Sequence, residues 1–402
     1  MKIKLLSIIM LFSSILLVKI TKAQTSSSTA NTVIGFFKKK QTTPPANTPP
    51  VNKTPATANS NNTIAPNTTT SGQNPQTPSL TSYQNYDFVP GNNILFEDEF
   101  TDDENGEFPT HWNLTSGQAI LSMQGKDKAF FLTDGNYCRV FPLMKNDSYL
   151  TKNFSIEYDY YGNGSYAPTI EIDDANKGRS MDVQVSASDV NWKGYVAATD
   201  HSSTLAAQLP ADIANKNFDN KWHHVAITYK NDQMKVYCDQ YRVLVVPHCN
   251  GLPPANLQVK GIGSHDKPII FKNFKIADGA QMYMTGQTFT DAKIVTHGIN
   301  FDINKATIKP ESMGTLNMVV RVLNDNPTLK FEIDGHTDNT GTASNNLTLS
   351  QQRADAVKAQ LITLGVDAGR LTTKGFGDTK PMSDNSTLDG KANNRRVEFI
   401  KQ

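Results

Sequence analysis

Cysteine is scarce in this chain, with only Cys138, Cys238 and Cys249 among 402 residues. That excludes a disulfide-dense scaffold. An oxidised Cys238–Cys249 pair and three buried free thiols both fit the sequence, and one cysteine stays unpaired in either case. Charge is also sparse, at 19% of residues and a formal net of +1. This excludes a general nucleic-acid binder. After the first two dozen residues no run is long and apolar enough to span a bilayer, so an exported form is expected to be soluble or peripherally held. No motif asks for a cofactor, and no metal site is expected.

What is present begins with MKIKLLSIIMLFSSILLVKITKAQ. Two early lysines precede a short apolar run from Leu5 to Val18, and Thr21 and Ala23 fit the small positions before a cleavage site. Residues 1–23 read as a secretory signal peptide rather than a membrane span. No cysteine follows the run, so lipid attachment at that point is not expected. Four lysines and no acids lie in residues 1–23, so the remainder carries 35 cationic against 38 acidic residues, a net of −3.

Residues 24–85 are rich in Thr, Pro, Asn and Ser and lack the apolar surface that offsets ordering entropy. They read as a disordered, partly extended linker. The segment TVIGFFKKK at residues 32–40 is a solvated spur or a short contact site.

From 86 to 286 short alternating runs recur between turn signals, among them FSIEYDYYG, SMDVQVSAS, HHVAITYK, QMKVYCD and YRVLVVP. The pattern predicts an antiparallel β-sandwich with hairpins at 230–233 and 239–241. Glu171 and Asp173 share one strand face, but the next same-face position is Ala175. A paired-carboxylate glycosidase is therefore not supported. The acidic run EDEFTDDENGE fails the EF-hand spacing and reads as a solvated edge, with calcium elsewhere on the sandwich left open. His223 and His224 alternate faces, so one is expected to be packed and one exposed.

The stretches 86–112, 221–244 and 268–279 resemble the concanavalin A-like, laminin-G-like jelly-roll family. That family includes lectins and glucan hydrolases. The resemblance implies a carbohydrate-binding, protein-binding or spacer role. The glycine usual in the family's hairpin turn is replaced here by Gln240 or Tyr241.

Residues 288–402 alternate strands and helices, which predicts a compact α/β sandwich. The second helix, near Asn345–Leu364, carries Leu347, Ala354, Val357, Leu361 and Leu364 as an apolar stripe. On another side lie Asn346, Ser350 and Arg353. Seven residues place Asn346 and Arg353 about 20° apart in azimuth and two turns apart. Asp338 lies in the turn before this helix. One anion and one guanidinium among short polar groups suit a zwitterionic ligand, or they pair with each other.

The stretches FDINKATIKP, GHTDNTG, NLTLSQQRADAV, LTTKGFGDTKP and NSTLDGKANNRRVEF resemble the OmpA C-terminal family. That family includes the peptidoglycan-associated lipoproteins and a flagellar stator wall-binding domain. The resemblance implies noncovalent binding of peptidoglycan through the diaminopimelate of its peptide stem. It makes Asp338 and Arg353 the principal ligands, with support from Asn304, Thr340 and Asn346. It leaves Asn394, Arg395 and Arg396 mainly structural. No catalytic role is implied. The expected protein is a Gram-negative envelope component in the periplasm, attached to the wall and associated with the outer membrane. The alternative is a glycan-binding protein acting through the sandwich, with the C-terminal domain as its anchor.

Overall fold

The computed structural model describes residues 79–164, 166–279 and 288–402. The expected signal peptide, the segment 32–40 and the expected linker as far as residue 78 lie outside the described residues. So does the junction 280–287. The described residues fall within one compact unit. None of their helices is long and apolar enough to cross a membrane.

Among the described residues the N-terminal region is built from strands and short 3-10 turns. The strands are β1 (Asn93–Asp98), β2 (Trp112–Gln124), β3 (Asp127–Pro142), β4 (Asn153–Gly162) and β5 (Thr169–Asp174). Next come β6 (Arg179–Val185), β7 (Asp189–Val196), β8 (His201–Gln208) and β9 (Lys221–Lys230). The last four are β10 (Gln233–Cys238), β11 (Tyr241–Val246), β12 (Pro254–Gly261) and β13 (Ile269–Asp278). Alternation of apolar and polar residues forms these strands, because every second side chain can then enter a core.

All thirteen strands join one antiparallel sheet, ordered β11-β10-β9-β4-β13-β3-β12-β5-β6-β7-β8, with β1 on β13 and β2 on β3. The sheet coils until its end strands, β11 and β8, approach one another. Tyr241 at the start of β11 donates to Asp212, beyond β8, at 2.6 Å. Coiling lets one face enclose an aromatic core of Phe96, Phe100, Trp112, Phe130, Phe271 and Phe274, all buried. The β10–β11 turn manages without glycine because Asp239 takes the positive φ of 48°. Its carboxylate is anchored by the His224 backbone N–H at 3.0 Å.

The C-terminal region holds β14 (Lys293–Thr296), α1 (Met313–Asp325), β15 (Phe331–His336), α2 (Ala343–Thr363), β16 (Leu371–Gly377), α3 (Leu388–Asn394) and β17 (Val397–Lys401). The four strands order as β14-β17-β15-β16. Only β15 and β16 run parallel, with α2 as their crossover. Phe331, Ile333, Phe399, Val357, Leu361 and Leu316 fill the space between sheet and helices.

The apolar stripe of α2 holds at Ala354, Val357 and Leu361 but not at Leu347, which is half exposed. The reason lies in the backbone. A Cβ on Gly335 would meet the Ser350 carbonyl at 2.2 Å, and one on Gly375 would meet the Gln351 amide at 2.4 Å. The first half of α2 rests its main chain on these glycines, so buried Asn346 and Ser350 take the inward positions.

The two regions share a core. Tyr86 and Phe88 pack on Tyr237 of β10, each with ring centroids 5.4 Å away, and all three belong to the cluster that includes α1. Asn317 of α1 donates to the carbonyls of Gln84 and Tyr86. Residues 79–85, assigned to the linker by composition, thus end in a packed turn with Tyr83 buried.

Candidate functional site

Asp338 stands just beyond β15. Its backbone carbonyl accepts from Asn346 Nδ2 at 3.2 Å, and Oδ1 accepts from the Thr340 amide at 2.8 Å. Gly341 closes the turn at φ +91°, a conformation that other residues adopt at a cost. Thr342 then caps α2, accepting from the Asn345 amide.

Asp338 does not pair with Arg353. Its Oδ2 accepts from Arg395 Nη1 at 2.8 Å. Burial opposes ionisation of Asp338, but the hydrogen bonds from Arg395 and Thr340 outweigh it and hold the carboxyl below its usual range. Arg353 is held from the other side. Its Nε donates to the Lys305 carbonyl at 3.0 Å, and its guanidinium lies 4.8 Å from the centre of the Phe301 ring. Neither of its Nη atoms has a hydrogen-bond partner among the described residues. Burial, then the nearby Arg395 charge, lowers its pKa, while Asp338 raises it.

The turn at 301–305 serves mainly as the seat of Arg353. Asn304 adopts φ +56° and lines the cleft, but its exposed side chain holds nothing. Phe301 and Lys305 make the contacts. Thr340 and Asn346 also line the cleft, so all five residues expected at the site surround one cavity of about 340 Å³.

Arg395, expected with its neighbours to be mainly structural, lines the cleft and is spent on two carboxylates, Asp338 and Glu97. Asn394 and Arg396 are structural as expected: Asn394 Oδ1 accepts from the amides of Met382 and Ser383, and Arg396 Nε donates to Glu398 at 2.7 Å. Arg395 and Arg396 both line the cleft, but Arg395 alone of the two reaches Asp338.

The second wall of the cleft comes from the β-rich region. Glu97 of β1 pairs with Arg395 and, at 2.9 Å, with Lys275 of β13. Burial opposes its ionisation, yet Lys275 and Arg395 hold Glu97 at about 2. Asn393 clamps the same strand, accepting from the Ile94 amide and donating to the Ile94 carbonyl.

His297 and His336 also line the cleft, and burial lowers each to about 4. The usual value is about 6.5. Their share of stability is therefore complete above that value and is lost as pH falls towards 4. Both imidazoles are expected to stay neutral from pH 8 to about 5, leaving the charge they give the cleft unchanged. Proton NMR titration checks this; midpoints near 6.5 would contradict it.

Other expectations are revised. The acidic run is not a solvated edge throughout. Asp98 is buried, accepting from the Phe100 amide and from Trp112 Nε1 at 2.9 Å, and burial raises its pKa to about 7. Asp103 is buried as well and accepts from Thr110. A carboxylate oxygen each from Asp98, Asp102 and Asp103 lies within reach of one cation. His223 is packed as expected, with one ring nitrogen on Asp239 and the other on the Phe218 carbonyl. His224 is not exposed. It pairs with Asp159 at 2.9 Å and Glu157 at 3.5 Å. Glu171 is bound to Arg139 and Lys260. All three cysteines are free and buried, and burial lifts the Cys138 thiol to about 11 and Cys249 to about 12.

A mixed four-stranded sheet with a parallel crossover, carrying Asp338 and Arg353 on facing sides of a polar cleft, defines the class. Residues 300–395 match the OmpA family, so the chain carries an OmpA family domain there. Among individual proteins, it is similar to the "Probable lipoprotein YiaD" of Escherichia coli (strain K12). The two are 48% identical over 103 residues, 26% of this chain and 47% of that protein. It is also similar to the "Peptidoglycan-binding protein ArfA" of Mycobacterium bovis, 39% identical over 107 residues, 26% of this chain and 33% of that protein. The chain thus spans less than half the length of either relative. Among solved structures, the peptidoglycan-associated lipoprotein from Burkholderia pseudomallei is 30% identical. The match covers 26% of this chain and 88% of that one, with a TM-score of 0.25.

Proposed function

We propose that this chain is a non-enzymatic envelope protein that binds peptidoglycan in the cleft described above, gripping the diaminopimelate of the peptide stem. The observation that carries the reading is Arg353. Its guanidinium is seated by Phe301 and Lys305, the residue lines a cavity of about 340 Å³, and neither Nη atom has a hydrogen-bond partner among the described residues. Such a fork matches a carboxylate in two parallel hydrogen bonds. Asp338, with Thr340 and Asn346 around it, fixes the polar turn opposite and keeps acceptor capacity for a ligand donor. Asn304 lines the entrance. A similar protein, named for peptidoglycan binding, supports the assignment. Residues 1–23 would export the chain to the periplasm, and the β-rich region, read as a laminin-G-like module, would be held against the wall.

Co-sedimentation with purified diaminopimelate-type peptidoglycan tests this. The full chain is expected in the pellet, and the Asp338→Ala/Arg353→Ala variant in the supernatant. Equal pelleting of the two would sink the reading.

A further inference from the structure

The loop that leaves β1 carries a second group of acids, turned away from the cleft. Glu97 and Glu99 line the cleft, so Asp98 between them points to the other side of the extended chain. There it is buried against the aromatic core, its Oδ1 accepting from the Phe100 amide at 2.7 Å and its Oδ2 from Trp112 Nε1 at 2.9 Å. The chain then brings Asp102 and Asp103 back to it. One carboxylate oxygen from each of the three lies within 4.8 Å of the others.

Asp103 is the member that lacks a partner. Its Oδ1 accepts from the Thr110 amide and hydroxyl, at 3.1 and 2.7 Å. The residue is only 8% exposed, yet Oδ2 is buried and meets no donor among the described residues. With Oδ1 held by Thr110, Oδ2 is the oxygen Asp103 has left to give. A desolvated carboxylate oxygen without a partner is costly, and native proteins seldom leave one so. The bases beside the group are spent elsewhere. His111 Nε2 pairs with Asp102 at 3.0 Å, and Lys128 Nζ donates to the backbone carbonyl of Asp103.

We propose that Asp98, Asp102 and Asp103 bind a calcium ion that ties the end of β1 to the start of β2. The three side chains offer oxygen alone, which suits a hard cation rather than zinc. Calcium takes six to eight oxygens in flexible geometry, with backbone carbonyls and waters completing the shell, whereas magnesium demands a near-ideal octahedron that an irregular loop supplies poorly. Each carboxylate oxygen has two lone pairs, so those of Asp98 can keep their N–H donors and still face a cation. Asp102, exposed, opens the group to solvent. The site stands apart from the wall-binding reading. It braces β1, whose other side carries Glu97 to Arg395, and Trp112, whose ring packs on Phe96 and Phe274.

The test uses the full chain, stripped with a chelator and titrated with calcium chloride. Terbium, a calcium mimic, is read by luminescence excited through tryptophan, which Trp112 beside Asp98 should sensitise. Calcium is expected to bind with a Kd of about 10⁻⁴–10⁻³ M, as in extracellular modules. At about ten times that concentration it should raise the melting temperature by about 2 °C and displace terbium. Asp102→Asn should melt like the wild type in chelator and bind calcium about tenfold more weakly, one ligand charge being gone. Asp103→Asn, which replaces one carboxylate oxygen by an N–H donor, should lose the response. Should it fail to fold, the exposed Asp102 variant carries the test. Glu104→Gln, an exposed acid of the same run outside the three, should leave the titration unchanged. A wild type with neither a calcium-dependent melt nor terbium emission up to about 10 mM overturns the proposal. Equal weakening in Glu104→Gln and Asp102→Asn also overturns it, since that is diffuse attraction to an acidic loop.

Discussion

Arg395→Ala is expected to lower the unfolding free energy by about 3 kcal/mol. The guanidinium neutralises Asp338 and Glu97, whose side chains are each only 10% exposed. Removing it leaves two desolvated carboxylates across the junction of the two regions, with Lys275 beside Glu97 and the unpaired, more distant Arg353 to compensate. Breaking a buried pair costs about 3–5 kcal/mol because a charge is left behind. The low end applies here, since 36% of the Arg395 side chain is exposed and water can enter. Denaturant titration measures the loss. A double variant, Glu97→Gln/Arg395→Ala, should be less destabilised than the single one, because one orphaned charge is gone. Arg395→Lys keeps the charge but not the fork, and should recover only part. A single variant within about 0.5 kcal/mol of wild type would contradict the role given to this ion-pair chain.

Arg353→Ala has the opposite profile. Its affinity for a soluble stem tripeptide ending in diaminopimelate should fall about 100-fold, while its stability changes little. Two charge-assisted hydrogen bonds to a ligand carboxylate are worth about 1.5–3 kcal/mol each when made in a shielded site, and 100-fold is about 2.7 kcal/mol. In the free protein Arg353 gives up only one backbone hydrogen bond and its contact with Phe301. Calorimetric titration and a thermal melt of the same variant separate the two effects. Loss of affinity together with a large drop in melting temperature would point to a structural arginine instead.

The contrast between these two arginines shows what a sequence can and cannot disclose. Arg353 was legible because helical geometry relates it to Asn346 over two turns, a local rule. The placement of Asp338 at the mouth of the same helix followed from the short turn between strand and helix. The partner of Asp338 was not legible, because Arg395 is 57 residues away and its orientation depends on how the last strand enters the sheet. Glu97 is farther still, 298 residues from Arg395, and belongs to a region that sequence patterning treats as a separate module. Alternation identified the β-rich character of the segment that carries β1 to β13, yet it carries no information on how thirteen strands pair. The single coiled sheet is a property of long-range register.

Composition misled where apolar residues were few but decisive. Tyr83 sits at the end of a polar, proline-rich run, and it is buried against the C-terminal core. Leu347 fits the helical stripe by period, yet glycines 335 and 375 draw the helix backbone onto the sheet and turn that position outward. In both cases the deciding contact is made by residues far away in sequence.

Removing the ligand's distal carboxylate tests whether Arg353 receives it. Titration of the full chain with the diaminopimelate tripeptide, and with the same peptide ending in lysine, isolates the group Arg353 is held to receive. The wild type is expected to bind the lysine peptide about 100-fold more weakly, and Arg353→Ala to bind both peptides alike. Equal affinity of the wild type for both peptides would contradict that role for Arg353.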